Sequence, residues 1–78
     1  MSDAGYDVEL DVRKLACPLP ILRAKKSLSA LNAGQVLRVV ATDKGAPKDF
    51  VDFCNKTGNE LLSSTEQDGE FIFLIRRR

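Results

Sequence analysis

At 78 residues the chain has room for one domain with a small core, burying about 60% of the surface that its unfolded form exposes. Apolar residues make up 44% and charged residues 29%, a globular balance, and no apolar run approaches the roughly 20 residues of a membrane-spanning helix. Net charge is +1 and histidine is absent, which removes Cys-His dyads, Ser-His-Asp triads and most zinc sites.

The first residues, 1–6, are expected to be flexible. Met1 to Asp7 has no basic start leading into an apolar stretch, so no secretory signal is expected and the expected compartment is the cytoplasm. Residues 8–12, "VELDV", alternate apolar and acidic as a strand with one buried face does. Residues 18–32 read as a helix, with Ile21, Ala24, Leu28 and Leu31 forming one apolar stripe and Gly34 near the stop. Leu19, Leu22, Arg23 and Lys26 fall on the opposite face, two leucines among basic residues. "QVLRVVAT", 35–42, is a Val-rich central strand, and "DKGA" a turn. Pro47 suits the first position of a second helix that runs to about Thr57 and stops at Gly58, with Phe50, Phe53 and Cys54 on one face. Strands over 59–66 and 70–77 flank Asp68-Gly69, a tight hairpin.

The order is βαβαββ across a single domain, 1–78. Right-handed crossovers put both helices on the same side, giving an α/β (α+β) two-layer sandwich: a four-stranded mixed sheet with two helices on one face. The other face lacks a helix cover, and Val36, Val40, Ile72 and Leu74 are assigned to it.

The chemistry gathers at "LACPLPILRAKK", 15–26. With Cys17 as N-cap, Pro18 at N1 and Pro20 at N3, only the Leu19 N–H is left free to face the sulfur. No acid separates Asp11 from Asp43, and Arg13, Lys14, Arg23, Lys25, Lys26 and Arg38 fill that interval. Helix dipole and basic surroundings both favour a thiolate. A free cysteine is commonly a small buried apolar residue, but one that follows a strand and heads a helix stands where α/β folds present their sites. Cys54, beside two phenylalanines, reads as core. Without histidine or a Cys-x-x-Cys pair, Cys17 suits a carrier that accepts a group on sulfur and passes it on by thiol exchange, rather than an enzyme acting alone. Three alternatives stay open: a thiol redox protein cycling Cys17 with Cys54, an RNA-binding module using Arg76-Arg77-Arg78, and metal transfer with borrowed ligands. The arginines otherwise read as a solvated tail.

"LDVRKLACPLPILRAKK" resembles the signature of the TusA/SirA family of small sulfur carriers, whose mark is Cys-Pro-x-Pro at the start of the first helix. "GQVLRVVATD", the Asp-Phe of the second helix, "TGNEL" and "FLIRR" extend the likeness over nearly the whole chain. The resemblance implies a persulfide on Cys17, supported by Pro18, Leu19 and Pro20. Sulfur would come from a cysteine desulfurase or a rhodanese. It would leave for a DsrE-type or heterodisulfide-reductase-like acceptor, serving tRNA 2-thiouridine, molybdenum cofactor or cytoplasmic sulfur oxidation. Leu22, Lys25 and Asp43 would face the partner, joined on the helix wheel by Arg23 and Lys26. No cofactor, metal, direct nucleic acid or membrane is called for, and a monomer is expected.

Overall fold

The computed structural model describes residues 5–78. The elements are β1 (Val8–Val12), α1 (Leu19–Ser29), β2 (Val36–Ala41), α2 (Ala46–Thr57), β3 (Glu60–Gln67) and β4 (Glu70–Arg76). This is the predicted βαβαββ order. The expectation of flexibility for residues 1–6 falls mainly on 1–4, outside the described residues; the Tyr6 ring lies 5.7 Å from the Arg38 guanidinium carbon.

The sheet runs β1-β2-β4-β3, with β1 parallel to β2 and both other pairings antiparallel. Each β-α-β connection returns to a parallel strand. Side chains alternate about this register. Leu10, Val12, Leu37, Val39, Phe73 and Ile75 turn toward the helices and form the core with Ala24, Leu28, Phe50, Phe53 and Cys54. Phe50 stacks on Phe73 with ring centroids 4.6 Å apart. The opposite face carries Val36, Val40, Ile72 and Leu74, as the sequence predicts. Ion pairs Arg38–Glu9, Arg76–Glu60 and Arg13 with Asp11 and Glu70 fence this stripe.

The strands shift by a residue at some ends, and three helix boundaries differ from expectation. α1 begins at Leu19, not Pro18, because Pro18 (φ −98°, ψ 14°) lies outside helical geometry. The first helical bond is Leu22 N–H to the Pro18 carbonyl, 3.1 Å. α1 also stops at Ser29: the Ala30 and Leu31 N–H groups bond three residues back, to Ser27 and Leu28, tightening the last turn. Leu31 still packs on the core from outside the helix. α2 gains Ala46, with Gly45 as N-cap, which places Pro47 in the first turn at a position needing no N–H partner.

Candidate functional site at the head of the first helix

The parallel strands β1 and β2 end side by side at Val12 and Ala41, so the loops that follow them, and the N-termini of both helices, share one end of the molecule. The Lys14 N–H bonds to Thr42 Oγ1 at 2.8 Å and ties the loops together. Cys17 stands on the first loop as an exposed free thiol, joined to Pro18 by a cis peptide bond.

The capping geometry expected for Cys17 does not form. Pro18 is the N-cap, no side chain caps α1, and the Leu19 N–H bonds to the Ala16 carbonyl at 2.9 Å instead of facing the sulfur. Pro20 falls at N2, where its missing N–H costs nothing, and it is buried.

The electrostatic expectation is overturned as well. Cys17 holds its proton more tightly than an ordinary thiol. Hydrogen bonding to the Asp49 carboxylate is the largest cause, followed by desolvation and the charges of Asp49 and Asp43. The basic interval seen along the chain is dispersed in three dimensions, with Lys25 left on the thiol groove. Arg13 and Arg38 are turned to the helix-free face, paired with acids. The acids that count for the thiol arrive from the β2–α2 loop and from α2.

Two clefts border the first turns of α1. One, of about 400 Å³, lies between the helices: Cys17, Pro18, Ile21, Leu22 and Lys25 form one wall, Asp49, Asp52, Phe53 and Lys56 the other. The second, of about 640 Å³, gathers Leu10, Leu19, Leu22, Arg23, Lys26 and Ser27. The predicted surface residues are thus divided. Leu19, Leu22, Arg23 and Lys26 come together, Lys25 faces the thiol groove, and Leu22 borders both. Leu19 and Leu22 are 44% and 55% exposed. Asp43 lies on the second loop, between β2 and α2, near enough for its charge to act on the thiol.

Sequence reasoning missed the α2 wall. Asp49, Asp52, Phe53 and Lys56 are spaced as one helical stripe beside the buried Phe50 and Cys54, and that spacing was the available signal. The reading of the three arginines also needs correction. Arg76 pairs with Glu60, Arg77 Nε donates to the Leu28 carbonyl at 2.9 Å, and an Arg78 amino group donates to the Thr57 carbonyl at 3.3 Å. Arg77 and Arg78 cap the two helices, whose last carbonyls lack intrahelical partners. Among the described residues no three acidic or sulfur side chains converge closely enough to hold a metal ion.

Residues 8–77 match the family described as Sulfurtransferase TusA. The chain belongs to the TusA family. It is 58% identical over 74 residues to a "Sulfur carrier protein TusA" from Allochromatium vinosum, covering 95% of this chain and 97% of the relative. A "Putative sulfur carrier protein" from Neisseria meningitidis serogroup A is 55% identical over 69 residues, covering 88% and 93%. The crystal structure of a SirA-like protein from Desulfitobacterium hafniense superposes with a TM-score of 0.81 at 26% identity, covering 90% of this chain and 96% of that one. The TusA match takes in every element of the sheet and both helices, with Cys17 and the whole α2 wall inside it.

Proposed function

We propose that this protein is a sulfur carrier that accepts sulfane sulfur as a persulfide on Cys17 and hands it to an acceptor protein. One observation carries the reading: the chain has two free thiols, and only Cys17 is exposed, at the loop end where β1 feeds α1. Burial of Cys54 among Phe50 and Phe53 weighs against a Cys17–Cys54 redox cycle.

In loading, the Cys17 sulfur attacks the outer sulfur of a donor persulfide. A Cys17 S–S bond forms, the donor S–S bond breaks, and the donor cysteine leaves with the electron pair and takes up a proton. Delivery is the same exchange run toward an acceptor thiol, with no net oxidation. A persulfide is more acidic than its parent thiol, so the loaded form gives up its proton more readily than the empty thiol, whose proton Asp49 and Asp43 help to hold. The donor is a cysteine desulfurase or a rhodanese, and the acceptor a DsrE-type or heterodisulfide-reductase-like protein of the cytoplasm. The sulfur serves tRNA 2-thiouridine, molybdenum cofactor or sulfur oxidation. Leu22, Lys25 and Asp43 form the docking rim at the thiol, and Arg23 and Lys26 extend it into the second cleft along α1. No helix is long and apolar enough to cross a membrane.

The test is intact-mass spectrometry after incubation with a desulfurase and cysteine, or with a rhodanese and thiosulfate. Wild type and Cys54→Ser gain one reductant-labile sulfur, and Cys17→Ser gains none. Loading of Cys17→Ser overturns the assignment.

A further inference from the structure

Beside the thiol sit two carboxylates that, among the described residues, take part in no ion pair. Asp11, Glu9, Glu60, Glu70 and Asp52 each have a basic partner, Asp52 through Lys48 at 3.8 Å. Among the described residues no ion pair engages Asp43 or Asp49. Their positions converge: the first side-chain atom of any residue replacing Gly45 would stand 3.2 Å from Asp43 Oδ2 and 3.8 Å from Asp49 Oδ2. Asp49 also lines the thiol groove itself, whose other charged walls are Lys25 on α1 and Asp52 and Lys56 on α2. Both acids act on the thiol, and in the same direction.

We propose that Asp43 and Asp49 make Cys17 selective for a sulfur donor that presents a basic segment beside its persulfide, and disfavour loading by free anionic sulfur species. The inference rests on the persulfide reading above. The acid pair, held in no ion pair although Lys25 and Lys56 line the same groove, raises two barriers in the unbound protein. It favours the protonated, poorly nucleophilic thiol, and it repels the anions that free persulfides, polysulfides and thiosulfate are at neutral pH. A lysine or arginine brought in by a docking donor neutralises the pair and lowers both barriers together. Selection against the wrong donor is then repulsive as much as attractive. A carrier built this way stays quiet toward small sulfur anions in the cell and opens only within the complex.

Three donors test this on the full chain: a persulfidated peptide flanked by lysines, the same peptide flanked by glutamates, and inorganic polysulfide. Loading of Cys17 is timed by intact mass at neutral pH and low salt. The lysine peptide loads wild type roughly three- to tenfold faster than the glutamate peptide, the range that exposed charge contacts give. In Asp43→Asn/Asp49→Asn that ratio falls to within about twofold, and polysulfide loads faster than into wild type. Asn keeps an oxygen to accept the 3.2 Å bond from the Gly45 N–H. Should the double variant fail to fold, raising salt on wild type is the second measurement, and it collapses the same ratio. Equal peptide rates in wild type, a ratio unchanged in the variant, or a salt-independent ratio overturns the inference while leaving the carrier reading standing. If no donor places sulfur on Cys17, both fall.

Discussion

At the scale of single residues, the molecule sets its two thiols apart by surroundings alone. Cys17 is exposed and faces carboxylates, whereas Cys54 is enclosed by phenylalanines, and both are pushed above the ordinary thiol pKa, Cys17 chiefly by Asp49 and Cys54 by burial. Alkylation of Cys17 by iodoacetamide should therefore climb with a midpoint above about 8.5, and Asp49→Asn should move that midpoint down. A wild-type midpoint below the ordinary value contradicts this. The same shifts act on stability. A folded-state pKa above the unfolded one means the native form binds the proton more tightly. The contribution is whole below the unfolded thiol pKa and is lost as pH rises through the folded value. Urea melts of Cys54→Ala should show a shallower alkaline decline than wild type. The placing of Cys17 at the loop that leads into α1 was legible because its prolines and its place after a strand are local features. Its electrostatics were not, because the deciding acids lie on α2 and the preceding loop, brought near only by the parallel pairing of β1 with β2.

At the scale of elements, local chemistry fixes the ends. Asp68 and Gly69 both adopt positive φ (53° and 81°), the geometry that a two-residue hairpin demands, and Asp-Gly announced it. Gly58 closes α2 at φ 81°, with its N–H on the Cys54 carbonyl at 2.9 Å. Gly58→Ala should cost about 1 kcal/mol, read from chemical denaturation, because an L-residue is strained there. Arg77 works differently. Its guanidinium caps α1 while its backbone exchanges hydrogen bonds with Gly34 and Gln35, so it joins the end of β4 to the end of a helix. Arg77→Ala should lose about 1 kcal/mol, with Arg77→Lys recovering part through the helix dipole alone. Loss of nothing in Arg77→Ala would return the arginines to a solvated tail. No sequence rule identified these caps, since each depends on which carbonyl happens to lie beneath a strand end.

At the scale of the whole molecule, one thin core supports everything. Phe50 joins α2 to β4 through its stack on Phe73, and both are fully buried. Phe50→Ala removes about 3–5 kcal/mol, a large share of the roughly 4–12 kcal/mol that a domain of this size has in total. Thermal unfolding should show the variant largely melted near physiological temperature. The architecture itself was readable, because helix and strand periods are unambiguous over most of the chain and chirality leaves few ways to connect βαβαββ. The helix-free face carries Val36, Val40, Ile72 and Leu74 behind a fence of ion pairs, an arrangement that favours a monomer. Light scattering should return the mass of one chain. The carrier reading needs this scaffold to present one thiol and hide the other. Its most direct test is peptide-level mass spectrometry of the sulfur-loaded protein, mixed with an acceptor thiol and sampled in time. The account predicts one extra sulfur on the peptide bearing Cys17, fading as sulfur appears on the acceptor. Sulfur found on Cys54, or held on Cys17 without ever passing on, would contradict it.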